Sequence, residues 1–173
     1  LDFFEKKKKG HIDYLKKLVK DGNYDKSRIK IYSHFINRGI PATLNFGFSR
    51  SSGEYICQLS SDDFYIDEDK IKKQVEILDK KENQDVGLIY TDYMFKDLDE
   101  DKQWNVNCYN WMDRKDLFLR LFDDCCMNAC TFLMRRNWFF NEVKEYSMHP
   151  KLEWNQDLHF NFKACLVENW RII

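Results

Sequence analysis

Two adjacent carboxylates, Asp62 and Asp63, follow the apolar segment Tyr55–Leu59. Paired carboxylates at the end of a buried strand can hold a hard divalent cation, and such a cation can bridge the phosphates of a nucleotide diphosphate. The local alternative is that Ser61 and Asp62 cap the following helix, since Ser and Asp are favoured at that position. The two acids therefore predict either a metal and diphosphate site or the start of a helix.

The elements around these acids decide where they lie. Hydrophobic spacing predicts, in chain order, a helix from Pro41 to Ser49, a strand over Tyr55–Leu59, a helix from Glu68 to Lys80 and a strand over Val86–Thr91. Strands that alternate with helices are typical of a parallel α/β sheet, in which ligands bind at the carboxyl ends of the strands. The acids follow such an end.

The rest of the chain is predicted to complete one domain. The pattern indicates a helix from Lys9 to Lys20, a strand from Arg28 to Ser33, a polar irregular segment from Lys96 to Arg114, a helix from Asp116 to Phe122, a strand from Cys130 to Met134 and a helix from Gln156 to Val167. A length of 173 residues allows a sizeable core and gives no reason to expect two domains.

Composition excludes several classes of function. The net charge of -1, from 28 basic and 29 acidic residues, provides no field that would attract nucleic acid. The six cysteines contain no C-x-x-C spacing, which favours reduced thiols and a cytoplasmic location. No apolar run reaches the roughly 20 residues needed to span a bilayer, so we expect no transmembrane segment.

Three motifs occur in one order at close spacing: Asn37-Arg-Gly-Ile-Pro-Ala-Thr-Leu-Asn-Phe-Gly47, then Ser52-Gly-Glu-Tyr-Ile, then Leu59-Ser-Ser-Asp-Asp63. This combination resembles the family 2 glycosyltransferases, and the resemblance covers Arg28 to Asp157. It implies an α/β GT-A fold, a mixed sheet flanked by helices. The first strands of that fold have no counterpart here, so the resemblance implies a partial domain with weak or no activity in isolation.

The resemblance implies roles for residues on the donor side. Asp62 and Asp63 would be the metal acids, with Asp63 the ligand of Mn²⁺ or Mg²⁺, although Ser60 stands where the family often has another acid. Asn37, Arg38, Asn45 and Ser61 would contact the donor. The alternatives are a solvated turn for Asn37 and Arg38 and a hydrogen bond from helix to loop for Asn45.

Other roles concern the acceptor. The family has an acidic base at the start of a late helix, which Asp157 matches, with Gln156 in place of the usual Glu; the alternative is that Asn155 and Asp157 cap the helix. The segment Asn128, Ala129, Cys130 and Thr131 resembles the acceptor-side loop of the family.

The implied function is metal-dependent transfer of a sugar from a nucleotide-diphosphate sugar, most simply a UDP-sugar, to a glycan or lipid-linked acceptor with inversion. The parent protein could lie peripherally on a membrane. One alternative is a degenerate module that binds a nucleotide or glycan without turnover. Another is a nucleotidyltransferase or phosphatase, which lacks the support of a phosphate-binding Gly-rich loop.

Overall fold

The computed structural model describes residues 2–22, 25–97, 99–108, 112–124, 126–146 and 156–173. The chain divides into two compact units, residues 1–37 and residues 38–173.

The first unit contains helix α1, Asp2–Asp21. The predicted helix is confirmed and begins earlier than expected. After it, the Asp25 carboxylate accepts hydrogen bonds from the backbone and hydroxyl of Ser27, at 3.1 and 2.6 Å, and caps a 3₁₀ turn over Lys26–Arg28.

The predicted strand from Arg28 to Ser33 is wrong. Residues 29–34 form no regular element, and the side chains of Ile29, Ile31 and Tyr32 are exposed. An alternating pattern becomes a strand only where a neighbour supplies hydrogen bonds, and no described strand pairs with this segment.

The second unit contains the sheet and the remaining helices. In chain order its elements are α2 Gly39–Arg50, β1 Tyr55–Cys57, α3 Lys70–Leu78, β2 Val86–Ile89, β3 Tyr93–Asp97, β4 Lys102–Val106, α4 Arg114–Arg120, β5 Leu133–Arg135, α5 Arg136–Trp138, α6 Gln156–Leu166 and β6 Arg171–Ile172. Helix α5 continues as a π-helical turn over Phe139–Val143, and 3₁₀ turns cover Lys81–Asn83 and Ala129–Thr131.

Four strands form a mixed sheet in the order β1-β5-β2-β6. Strand β5 is antiparallel to both neighbours, with Met134 opposite Ile56 on one side and Leu88 on the other, whereas β2 and β6 are parallel. The alternation of strands and helices predicts a parallel sheet, and this prediction is wrong for β5, which is antiparallel to both of its neighbours. A late strand inserted between β1 and β2 is a non-local pairing, which spacing along the chain does not reveal.

Both faces of this sheet are covered. Leu88 and Met134 belong to one buried apolar cluster, and the adjacent residues Ile89 and Leu133 belong to another. Because successive strand residues point to opposite faces, the two clusters lie on opposite sides of the sheet. The second cluster includes Leu78 of α3, and the first includes residues of α2, α4 and α6.

Helix α2 begins where the sequence allows a sharp change of direction. Gly39 has φ +78°, in the left-handed region that favours glycine. Pro41 follows in the first turn, where its missing N–H leaves no helical hydrogen bond unmade. The predicted helix is confirmed and starts two residues earlier than expected.

The sequence predicts an irregular segment from Lys96 to Arg114. This prediction is wrong for the part of the segment that forms a β-hairpin. Strands β3 and β4 pair antiparallel, and the Asp97 carboxylate accepts the backbone N–H groups of Asp99 and Glu100 near the tip. Phe95 and Trp104 stack across the two strands with ring centroids 4.7 Å apart. These turn contacts, rather than apolar alternation, define the hairpin.

Candidate functional site

The turn after β1 carries the two predicted metal acids. The backbone N–H of Asp63 donates to the Ser60 carbonyl at 3.2 Å, which closes a β-turn with Ser61 and Asp62 at its centre. All four side chains are exposed. We call residues 60–63 the acid turn.

The capping alternative for this turn is wrong. Helix α3 begins only at Lys70, well beyond Ser61 and Asp62. The start of that helix is supported instead by Asp67, whose carboxylate accepts the Asp69 N–H at 2.9 Å and pairs with Lys73 at 2.6 Å. The residues of the acid turn therefore do not cap helix α3.

A second turn lies before β5. The Asn128 side chain accepts the N–H of Cys130 at 3.0 Å, and the Asn128 carbonyl accepts the N–H and hydroxyl of Thr131 at 3.0 and 2.7 Å. Ala129 and Thr131 are buried, and Cys130 is half-buried. We call residues 128–131 the Asn128 turn.

The two turns meet at Cys130. The pairing of β1 with β5 brings the end of β1 close to the start of β5, and it places the Asp63 carboxylate beside the Cys130 thiol. Burial, and next the charge of Asp63, raise the pKa of Cys130 to about 11. The fold thus places the predicted metal acid beside the predicted acceptor segment.

Sequence reasoning missed a bridge between α3 and this region. Gln74 is 2% exposed; its amide nitrogen donates to the Thr131 carbonyl at 2.9 Å, and its oxygen accepts from the Lys70 ammonium at 2.9 Å. The Lys70 ammonium also lies 4.6 Å from the centre of the Tyr65 ring. The sequence did contain a signal for this bridge. Gln74 lies four residues from both Lys70 and Leu78, so the three residues share one face of helix α3, and Gln74 is a polar residue on the apolar side.

Burial shifts the acid–base behaviour of two groups in this bridge. It is the main cause that lowers the pKa of Lys70, since burial disfavours the charged ammonium. It is also the main cause that raises the pKa of Tyr65, and the nearby Cys57 thiol at the end of β1 raises it further.

The predicted base, Asp157, lies in the first turn of α6. It is half-buried, and its carboxylate accepts the N–H of Leu158 at 2.8 Å. Asn155, the other residue in the capping alternative, lies outside the described residues. The role of Asp157 as a base stays a prediction.

Helix α6 is attached to the Asn128 turn. The buried Asn161 side chain donates to the Met127 carbonyl at 2.9 Å, and the rings of Phe132 and Phe160 have centroids 5.5 Å apart. These contacts fix the helix that carries Asp157 against both ends of the turn.

The predicted donor contacts lie in different environments. The half-buried Asn45 accepts the N–H of Tyr146 at 2.7 Å, which is the alternative bond from helix to loop. Arg38 is exposed at the start of α2, and Ser61 is exposed in the acid turn. Asn37 is the last residue of the first unit, and its side chain is exposed.

The acid turn fits a cation that is held jointly with a substrate. Within the described residues, no group of three or more His, Cys, Asp or Glu side chains is placed to hold a metal ion alone. Mg²⁺ is commonly bound by one or two carboxylates together with substrate phosphates, and it keeps several waters. Two exposed acids, Asp62 and Asp63, suit that arrangement.

Comparison with known proteins identifies the family. Residues 8–143 match the family model described as glycosyl transferase family 2. The chain belongs to this family. The matched residues of this family 2 glycosyltransferase include the acid turn and the Asn128 turn and end before Asp157. The α/β architecture with its mixed sheet confirms the predicted GT-A fold class.

Individual relatives agree with the family match. An uncharacterized glycosyltransferase of Rickettsia typhi is 30% identical over 155 residues, covering 84% of this chain and 48% of the relative. One of Rickettsia prowazekii is 28% identical over the same shares. One of Haemophilus influenzae is 34% identical over 94 residues, covering 47% of this chain and 36% of the relative. The chain spans about half the length of the first two relatives.

Among the described residues, no helix combines the length and the apolar character needed to cross a bilayer.

Proposed function

We propose that this family 2 glycosyltransferase transfers a sugar from a nucleotide-diphosphate sugar to a glycan or lipid-linked acceptor, with inversion and with Mn²⁺ or Mg²⁺. A UDP-sugar is the proposed donor. The observation that carries the proposal is the antiparallel pairing of β1 with β5, since it brings the acid turn, with Asp63, beside the segment assigned to the acceptor, with Cys130.

On the donor side, Asp63 would ligate the cation, and Asp62 would support its water shell or the donor ribose. The cation would supply positive charge that stabilises the departing diphosphate. Ser61, Arg38 and Asn37 are proposed to contact the donor. For Asn45, the bond to Tyr146 favours a role in positioning this end of α2.

On the acceptor side, the Asn128 turn would present its backbone to the acceptor, because Ala129 and Thr131 are turned into the core. Asp157 would take the proton from the acceptor hydroxyl as it attacks the sugar carbon. Its carboxylate accepts the Leu158 N–H, which positions the carboxyl group at the start of α6.

We further propose one domain for both units, since the family match over residues 8–143 crosses the boundary after residue 37. A cytoplasmic location, with the parent protein peripheral to a membrane, is supported by free thiols at Cys57, Cys108, Cys126, Cys130 and Cys165. A role in polysaccharide biosynthesis would follow from a glycan acceptor.

Calorimetric titration of UDP and GDP, each with and without Mn²⁺, tests the donor site. We expect binding that requires Mn²⁺ and weakens at least about a hundredfold in the double variant Asp62→Ala, Asp63→Ala, because the metal ligand and the acid beside it are both lost. The matched control is Glu68→Ala, Glu76→Ala, which removes the same charge from exposed positions nearby. Equal binding by both double variants would refute the proposed metal site.

Turnover separates transfer from binding alone. With a panel of nucleotide sugars, we expect Asp157→Asn to retain donor binding while the rate of nucleotide release falls about a hundredfold or more. Unchanged turnover would remove Asp157 from the mechanism. Metal-dependent binding without any turnover in the wild-type protein would instead support the module that binds without catalysis.

A further inference from the structure

Lys70 lies in an unusual position for a lysine. It is half-buried at the start of α3, its ammonium donates to Gln74 at 2.9 Å, and it lies over the Tyr65 ring. Both partners are uncharged groups. In the described part of the chain, no carboxylate forms an ion pair with this ammonium.

A half-buried cation without a neutralising partner is costly unless an anion completes its environment. The lowered pKa of Lys70 has burial as its first cause and records this cost. Nevertheless, the side chain is held firmly, because Gln74 is fixed at its other end by the Thr131 carbonyl. The fold therefore holds the ammonium in a place where its partners are a neutral amide and an aromatic ring.

The position of Lys70 relates it to the acid turn. Its ammonium lies 4.6 Å from the centre of the Tyr65 ring, two residues after Asp63, and its partner Gln74 donates to the carbonyl of Thr131, the residue after Cys130. These contacts place the ammonium between the segment that follows the acid turn and the Asn128 turn. An anion bound by a metal at Asp63 would have Lys70 close by.

We propose that the Lys70 ammonium binds a phosphate oxygen of the donor diphosphate and that Gln74 and Tyr65 position it for this contact. This inference rests on the proposed function of the acid turn. A lysine suits the role, since its compact ammonium binds phosphate as a point charge. The diphosphate would separate two positive charges, the metal and Lys70, that otherwise repel each other.

Calorimetry with Mn²⁺ and inorganic pyrophosphate tests the contact without depending on the nucleoside or sugar. Pyrophosphate is titrated into the wild-type chain, Lys70→Met and Lys72→Met at one ionic strength. Lys72 is the matched control because it is an exposed lysine on the same helix. We expect affinity about tenfold weaker for Lys70→Met and within about twofold for Lys72→Met.

A second measurement uses only the wild-type chain, so it does not depend on whether a variant folds. Acetylation of each lysine by acetic anhydride is followed by mass spectrometry, with and without Mn²⁺ and pyrophosphate. We expect the ligand to slow modification of Lys70 and to leave Lys72 unchanged.

The outcomes separate this inference from the proposed function. If binding of pyrophosphate or UDP requires Asp62 and Asp63 but is unchanged in Lys70→Met, and Lys70 is not protected from acetylation, the role of Lys70 alone is overturned. Absence of metal-dependent binding of pyrophosphate, UDP and GDP would overturn both. If Lys70→Met binds pyrophosphate more weakly but keeps the wild-type melting temperature, the result supports direct contact, because loss of a structural role would lower that temperature.

Discussion

The acid turn and the Asn128 turn meet at Cys130, but they are held in opposite ways. In the acid turn, a single backbone hydrogen bond closes the turn and all four side chains are exposed. In the Asn128 turn, the Asn128 side chain and the Thr131 hydroxyl tie the backbone, and Gln74 and Asn161 hold it from two helices.

Because of this difference, we expect substitutions in the acid turn to change ligand affinity and substitutions around the Asn128 turn to change the stability of the fold. Side chains that are exposed and lightly held are available to a ligand, and their loss costs the folded state little. Side chains that satisfy buried backbone groups are needed for the fold, and their loss leaves polar atoms without partners. We expect substitutions in the two regions to have effects of different kinds.

The largest effect on stability is expected from a substitution in β2, the strand that pairs with β5. A Cβ at Gly87 would lie 2.5 Å from ring atoms of Trp138, which is 1% exposed. Gly87→Ala should therefore reduce the free energy of unfolding by about 3 kcal/mol, measured by urea denaturation. Gly47→Ala is the control, since a Cβ there meets nothing within 4 Å and should stabilise α2 by up to about 1 kcal/mol.

A smaller loss should follow when one support of the Asn128 turn is removed. Asn161→Ala removes the buried hydrogen bond to the Met127 carbonyl, and we expect a loss of about 2 kcal/mol in the free energy of unfolding. The control is Asn141→Ala, at an exposed position, which should change it by less than about 0.5 kcal/mol. Equal effects of the two variants would contradict the proposed difference between the regions.

Burial of the core around α6 predicts a dependence of stability on pH. Burial raises the pKa of Cys165 from its ordinary value of 9.0 to about 12. Between these values the folded state keeps the proton that the unfolded state has released, so stability falls as pH rises. The slope should reach about 1.4 kcal/mol per pH unit from this thiol. Cys165→Ala should make the decline between pH 9 and 12 shallower, and an unchanged slope would be evidence against the shift.

The smallest effect on stability should come from the acid turn itself. We expect the double variant Asp62→Ala, Asp63→Ala to change the free energy of unfolding by no more than about 0.5 kcal/mol, since both side chains are exposed. Thermal melting without ligand checks this. A loss comparable with that of Asn161→Ala would mean that the acid turn also supports the fold.

Local patterns predicted most of the second unit. Helices α2, α3, α4 and α6 and strands β1, β2 and β5 occur where hydrophobic spacing placed them, with ends that differ by up to a few residues. The errors concern pairing. The strand predicted from Arg28 to Ser33 has no described neighbour, and the direction of β5 depends on contacts distant in sequence.

The same distinction applies to the site. The position of Asp62 and Asp63 just after a strand followed from the sequence, because local turn signals mark it. The contact between Asp63 and Cys130 did not, since it requires the register of β1 against β5. Lys70 and Gln74 were missed for a related reason: their spacing indicated a pair on one helix but not that the pair faces Thr131.

The buried guanidinium of Arg135 limits how the molecule can move. It donates to the carbonyls of Leu78, at the end of α3, and Val86, at the start of β2. With Gln74 fixed further along the same helix, α3 is fastened to the sheet and should behave as one rigid body with it. Any adjustment to a ligand then falls on residues 58–69, between β1 and α3, where loop fluctuations occur in nanoseconds to microseconds.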